Sequence, residues 1–579
     1  MKNNVTRFGL LFVILFSVIT FCDVTMVVER RSTIVTSPFS VYVESQYSPH
    51  DPIVITSNQD FVDQGWPGNG IKNDPYVIQD LTITSIERSI SISSTDVYFK
   101  IIDCYFSNDT EQNNCIGVSL EEADNGVIEN CTFFNLYYGV YIHYSDNISI
   151  TFNEMDSVDT ASINLFESKG CEVLNNSISN IGNWGISARR VTDVLFANNS
   201  FSNEFYGMKR EDSVNCTLKN NEFEKVGLWI RGTESDHFLS NIFESNTVET
   251  KPISILTNRS SETIDASLYG QLFLFNSSHC IVENAIFNDR NAGVSLAICN
   301  DCLVQNLNSS YSQICLVELQ LCNNTEVVRC NVAESYNAGF RFLFTINCSL
   351  IECKTGYSPS NTVYGIEIYN TENTTIARNF FQAGGVLSRD SANCSIIDNN
   401  VEGNGGSQGP GFYISSSHNF TIKENELSEL YTGLLFGPDS TNCTILNNRI
   451  HDNQWYGIDV EETCEGFRIY NNSFWYNDLG HAIDNGNSNY WYDGISLGNQ
   501  WDDYNGTGVY NIPGSAGSVD HFPRADPYHT RTITIATTTS TTNQTSGGTS
   551  NLPIELVILG IGVSVIIVVM VVLILVKKR

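Results

Sequence analysis

The run Asn-Cys-Thr-Ile-Leu-Asn-Asn-Arg-Ile at 442–450 is echoed at 215–223, 347–355, 393–401 and 419–427, and more loosely at 147–155 and 373–381. Self-similarity of this kind makes a chain stack small units along one axis, because no unit can bury its apolar face alone. Taking the polar residue two before the last apolar one as an anchor, the slots fall at Cys104, Cys131, Asn153, Asn176, Asn199, Asn221 and Asn241. They resume at Ala285, Leu307, Cys330, Cys353, Asn379, Asn399, Asn425, Asn448, Asn472 and Asn499, with a spacing of roughly 22 or 23 residues. A glycine precedes most anchors, Gly139, Gly185, Gly207, Gly227, Gly339 and Gly365 among them, and opens an alternating segment such as Gly-Val-Tyr-Ile-His-Tyr at 139–144. No segment holds a helical apolar period. Each unit therefore carries two or three short strands between Gly, Asn, Asp and Ser turns, which describes the coil of a parallel β-helix. The doubled interval between Asn241 and Ala285 predicts one irregular coil or a projecting loop around residues 248–266.

The period and the Asn anchors resemble the right-handed parallel β-helix repeats of carbohydrate-binding and sugar-hydrolase (CASH) families, including NosD-like proteins and archaeal cell-surface β-helix proteins, over about residues 53–527. The segment at 60–78 looks like the entry cap of that surface group, and those at 498–504 and 512–523 like its closing cap. The resemblance implies an all-β fold, a right-handed parallel β-helix (solenoid) of about 18 coils. Caps are needed because an open coil end exposes unpaired strand edges.

The ends suggest an anchored surface protein. Lys2 and Arg7 flank an apolar run that reads as a signal segment over 1–22. An uncharged apolar stretch at 553–576 is long enough to cross a bilayer, and Lys577, Lys578 and Arg579 follow it as a cytoplasmic tail. Between these lie an N-terminal segment and cap (23–80), the repeats (81–490), a C-terminal cap (491–529) and a Thr/Ser-rich stalk (530–552). The expected order is a single-pass type I cell-membrane protein with its ectodomain outside. A formal charge of −33 excludes nucleic acid as a partner, since phosphate binding needs a basic surface. The expected partners are an extracellular glycan or another surface protein, with the membrane met through the C-terminal helix.

Strand alternation turns Cys443, Ile445 and Ile450 inward and Thr444 outward. Asn147, Asn215, Asn347, Asn373, Asn393, Asn419 and Asn442 share one turn slot with Ser or Thr two residues on, which makes them glycosylation candidates. The seventeen cysteines follow the repeat. Neighbouring coils lie roughly 4.8 Å apart, within the reach of a disulfide. Cys104 with Cys131, Cys280 with Cys302, Cys299 with Cys322, and Cys330 with Cys353 are therefore candidate bridges, and buried free thiols are the alternative. Cys299, Cys302, Cys315 and Cys322 have a superficial zinc spacing that the repeat itself largely explains. Copper, which the NosD resemblance brings in, favours His or Met clusters, and the nine His and five Met are scattered. The Asx-rich 484–489 lacks the order of a calcium loop, so calcium has no motif behind it, and no metal or cofactor is expected.

Polygalacturonase-type hydrolases carry four short motifs on adjacent coils; this chain has only Asp502-Asp503, in its closing segment. Catalytic residues are therefore not assigned. The expected function is a membrane-anchored cell-surface β-helix that recognises carbohydrate in an adhesion or envelope role. The alternative is a polysaccharide lyase or glycoside hydrolase acting on an acidic glycan, since β-elimination needs only one Arg or Lys base and a charge-neutralising partner. Counting two and four residues beyond each repeat glycine picks out Tyr141, His143, Arg189, Lys209, Glu211, Trp229 and Arg231 on one outward face. Cations are scarce in this chain, so an exposed aromatic and cationic strip is the candidate glycan site.

Overall fold

The computed structural model describes residues 47–526, apart from 109–113, 203–204, 357–363, 383 and 405–408, and all of these lie in one compact unit. The expected signal, stalk, span and tail fall outside the described residues. Among the described residues no helix is long and apolar enough to cross a membrane.

Three short strands repeat in each coil. A glycine strand such as Tyr138–His143 is followed by a middle strand such as Ser149–Thr151 and a ladder strand such as Glu154–Asp156. Each pairs in parallel with its counterpart one coil on, for example Val140 with Ile163, Ile150 with Val173 and Met155 with Ile178. The result is an all-β solenoid of about nineteen coils with almost no helix.

The solenoid is not continuous. Glycine strands from Ile53–Ile55 to Leu228–Arg231 form one eight-stranded sheet and end there. The chain then passes through a short α-helix, Asp236–Leu239, and reaches the ladder strand Thr247–Val248. That strand pairs antiparallel with Lys251–Thr257, which founds the glycine sheet of a second solenoid. The reversal is a two-residue turn with Glu249 and Thr250 both left-handed, at φ 48° and 68°, the geometry that suits the twist of a tight hairpin. The interval expected to hold an irregular coil thus holds a joint between two solenoids.

The two cores reflect this. One runs from Ile53 to Phe238 and Val248, and is completed by Phe273, Phe275 and Ala297, which belong to the outer face of the second solenoid's first sheet. That sheet closes the open end of the first stack, with Phe238 meeting Phe275 edge-on at 5.3 Å. The other core runs from Ile264 to Trp501 and Ile512. At the far ends Phe61, from a short helix Asn58–Asp63, stacks on Tyr76, while Trp501 stacks on Tyr510 at 4.2 Å.

The anchors form buried amide ladders. Asn176 Oδ1 accepts from both the backbone N and Nδ2 of Asn153 at 3.0 Å, and Asn176 repeats the pattern with Asn199. Buried amides must find partners or lose their hydration uncompensated, and each rung does so for the next. After Asn221 the ladder passes to Asn246; Asn241, the expected anchor, instead caps Cys216 N. In the second solenoid the ladder climbs from Asn379 through Asn399, Asn425, Asn448 and Asn472 to Asn499, and Asp520 terminates it by accepting from Asn499 N at 2.7 Å.

All described cysteines are free and buried in this structure, those of the four candidate pairs included. Their thiols turn to the carbonyl two residues back, as with Cys131 to Glu129 at 3.3 Å and Cys302 to Asn300 at 3.4 Å. Equivalent positions share one direction up the stack, and parallel side chains do not present the torsion a disulfide needs. Burial pushes Cys443 up to about 12, which leaves it an inert thiol.

Candidate functional site

The repeat glycines set the outward face. A Cβ on Gly207 would lie 2.3 Å from the carbonyl oxygen of Gly227, so only glycine lets successive coils approach there. From that fixed point the side chains two and four residues on leave the core. Ser187 pairs with Lys209 and Arg189 with Glu211, and in the next coil these pair with Trp229 and Arg231.

The joint folds the outer face of the second glycine sheet onto this one. Trp229 Nε1 donates to both carboxylate oxygens of Glu318, at 3.1 and 3.2 Å. Gly232 N donates to Gln320 Oε1, and Gln320 Nε2 returns a bond to Ile230 O at 2.7 Å. Trp229, expected to be exposed, is therefore only 6% exposed. Its ring stacks on Trp184 at 5.4 Å and is ringed by Lys209, Arg231 and Arg341, each between 5.1 and 5.4 Å from its centroid.

The charges at this apex answer one another. Burial alone would raise the Glu211 carboxyl, but Lys209 at 2.8 Å and Arg231 at 3.9 Å hold it down at about 2. Glu318, wholly buried, goes the other way: lost hydration pushes it up, and Arg341, Arg231 and the Trp229 bond only partly offset that. Arg341 is spent on Glu367 at 3.0 Å.

Away from the apex the outward side chains become more exposed. Along the second solenoid the outward column runs Glu318, Arg341, Glu367, with side chains buried, 12% and 19% exposed. On the first solenoid Arg189 lies over the Phe166 ring at 4.5 Å, its Nε is buried without a hydrogen-bond partner, and among the described residues it joins no ion pair. Phe166 continues to His143 at 4.6 Å, and His143 to Tyr141 at 5.8 Å. Burial lowers the His143 imidazole, with Glu121 and Glu167 opposing, so it stays neutral near neutral pH. On the facing wall Tyr369 is pushed up by burial and Asp390, and is drawn back by Arg231 across the cleft and Arg389 beside it.

The predicted strip is thus divided. Lys209, Glu211, Trp229 and Arg231 form a closed apex, whereas Tyr141, His143 and Arg189 line the open wall. Sequence counting missed the facing residues Glu318, Arg341, Glu367 and Tyr369. The same offset from Gly339 and Gly365 marks Arg341 and Glu367; nothing in the spacing indicates that the second stack folds back.

Among the described residues one set of ligand-type side chains gathers three ligand atoms within 4.8 Å, namely His481, Asp502 and Asp503 in the closing segment. His481 Nε2 lies 2.7 Å from Asp502 and 3.6 Å from Asp503. Asn477 meets Nδ1 through its Nδ2 at 3.2 Å, and the Asn477 side-chain carbonyl is already taken by Asn453.

Residues 353–506 match the NosD family, described as a periplasmic copper-binding protein, and residues 88–248 match a right-handed beta helix region. No curated protein matches the chain. Among solved structures, the A-module of the Azotobacter vinelandii mannuronan C-5 epimerase AlgE4 is 13% identical, covering 64% of this chain and 90% of its own, at a TM-score of 0.21. A mannuronic acid specific family 6 polysaccharide lyase from human gut microbiota is 11% identical over 78% and 86%, at 0.23. The tailspike protein 3 of bacteriophage CBA120 is 9% identical over 77% and 60%, at 0.21. Likenesses this loose say nothing of chemistry in this chain.

Copper does not fit the one such cluster among the described residues. Asn477 Nδ2 can only donate, so His481 Nδ1 accepts and the ring proton sits on Nε2, donating to Asp502. With Nδ1 accepting and Nε2 donating, neither ring nitrogen offers a free lone pair to a metal. The coil repeat, the glycine-opened strands, the amide ladders and the two family matches agree: the chain is a NosD-like right-handed parallel β-helix repeat protein.

Proposed function

We propose that this is a membrane-anchored cell-surface β-helix that recognises an acidic glycan along the open wall of the cleft, through Tyr141, His143, Phe166 and Arg189, with the closed apex as a rigid backing. One observation carries the reading. In a chain of charge −33, Arg189 stacks on Phe166, joins no ion pair within 4.0 Å among the described residues, and keeps a buried, unbonded Nε. Aromatic faces offer sugar rings an apolar platform, and a guanidinium takes a uronate or sulfate through paired hydrogen bonds.

The full chain on an array of uronate-bearing, sulfated and neutral glycans tests this. Binding to an acidic class is expected to weaken at least tenfold in Arg189→Ala, to be only partly restored in Arg189→Lys, and to be unchanged in Arg449→Ala, on another sheet. Equal binding by wild type and Arg189→Ala, with equal melting temperatures, would sink the assignment. Unsaturated or new reducing-end product in the same incubations would replace recognition with a lyase or hydrolase.

A further inference from the structure

The turn ahead of each middle strand supports an inference independent of the cleft. In most coils it holds one residue in the left-handed region, for example Asn347, Asn373, Asn393, Asn419 and Asn442 at φ 55° to 58°. Asn tolerates that conformation better than most residues, which accounts for Asn in the turn but not for the hydroxyl residue beyond it. Two residues on, Ser349, Thr375, Ser395, Thr421 and Thr444 open the middle strands and stack in register.

The two positions vary together. Wherever the left-handed residue is Asn, Ser or Thr stands two residues on, save after Asn125 and Asn324. Where it is Gly170, Asp193, His279, Asp301, Gly466 or Ser488, the later residue is Glu172, Leu195, Ile281, Leu303, Arg468 or Tyr490; only Ser261 is followed by a hydroxyl, Thr263. Turn conformation cannot link them, because the second residue is ordinary strand. Nor does hydrogen bonding: the Ser349 hydroxyl is buried without a partner, and among the described residues those of Thr375, Ser395, Thr421 and Thr444 also bond to nothing. The Asn side chains are exposed and climb the surface, Asn373 Nδ2 donating to Asn347 Oδ1 at 3.2 Å and Asn419 Nδ2 to Asn393 Oδ1 at 3.0 Å. Each such bond engages one of two amide hydrogens.

We propose that this column is a row of N-glycosylation sites, at Asn147 and Asn215 on the first solenoid and on five successive coils of the second. The residue between Asn and hydroxyl is never proline, as the acceptor pattern requires. In the transfer, the amide nitrogen bonds to the anomeric carbon of a lipid-phosphate-linked oligosaccharide. The carbon–oxygen bond to phosphate breaks, the lipid phosphate leaves with the electron pair, and one amide proton is lost. The remaining amide hydrogen keeps the ladder bond.

Full chain recovered from its own cells, digested and read by mass spectrometry, tests this site by site. Glycan mass is expected on the peptides bearing Asn347, Asn373, Asn393, Asn419 and Asn442. Thr421→Val and Thr444→Val, both on the outer strand surface, should strip Asn419 and Asn442 respectively and leave the melting temperature and the other sites unchanged. Unmodified Asn throughout the column, or glycan persisting on Asn419 in Thr421→Val, would overturn the proposal.

Discussion

Glu211 loses water on folding and gains Lys209 and Arg231 in exchange, and the cations win, holding its carboxyl at about 2 against an ordinary 4.5. A carboxyl depressed in the folded state adds stability that is fully present above its unfolded value and disappears as pH falls from about 4.5 toward about 2. Glu211→Gln is therefore expected to lower the unfolding free energy at pH 7 by on the order of 2–3 kcal/mol. It should also flatten the loss of stability on acidification, as read by denaturant titration at pH 7 and pH 3. An acid limb parallel to wild type would show that the ion pairs carry no such weight. Glu211, Trp229 and Arg231 were legible in the sequence as outward positions, because strand alternation is counted locally from a glycine. Their burial was not, because the carboxylate that seals Trp229 stands 89 residues further along the chain. Asn241 failed as an anchor for a local reason: the helix Asp236–Leu239 lengthens that coil, and the ladder slot moves on to Asn246.

Among the elements, the parallel strands were readable and the one reversal between them was not. A coil needs only period, alternation and turn residues, all of which the chain displays. The hairpin at 249–250 has the backbone of an Asn-Gly turn built from Glu and Thr, so it carries none of the usual signature. Thr250, β-branched and at φ 68°, is strained. Glu249, the other left-handed residue, makes an ion pair with Arg290 at 2.7 Å. Thr250→Gly is expected to raise stability by about 1 kcal/mol, seen as a higher denaturation midpoint; a lower midpoint would mean that the turn is held by contacts of the threonine side chain. The cysteine columns teach a related lesson. Spacing alone allows a bridge between neighbouring coils, whereas the described cysteines stand as free thiols turned to the carbonyl two residues back.

For the whole molecule, the proposed anchoring entails a topology that intact cells can report. External protease is expected to release the solenoids while Lys577, Lys578 and Arg579 stay protected; recovery of full-length chain in a soluble fraction would contradict anchoring. The stack itself has an unequal tolerance of change. Solenoids commonly grow or shrink by whole repeats, since each coil touches only its neighbours. Here one added coil anywhere between Lys251 and Glu318 would carry Glu318 roughly 4.8 Å along its axis, away from Trp229, and take Gln320 from Ile230 with it. Duplications and deletions of repeats in related chains should therefore gather before Trp184 or after Glu367, leaving the number of coils across the bend fixed while the arms on either side vary in length.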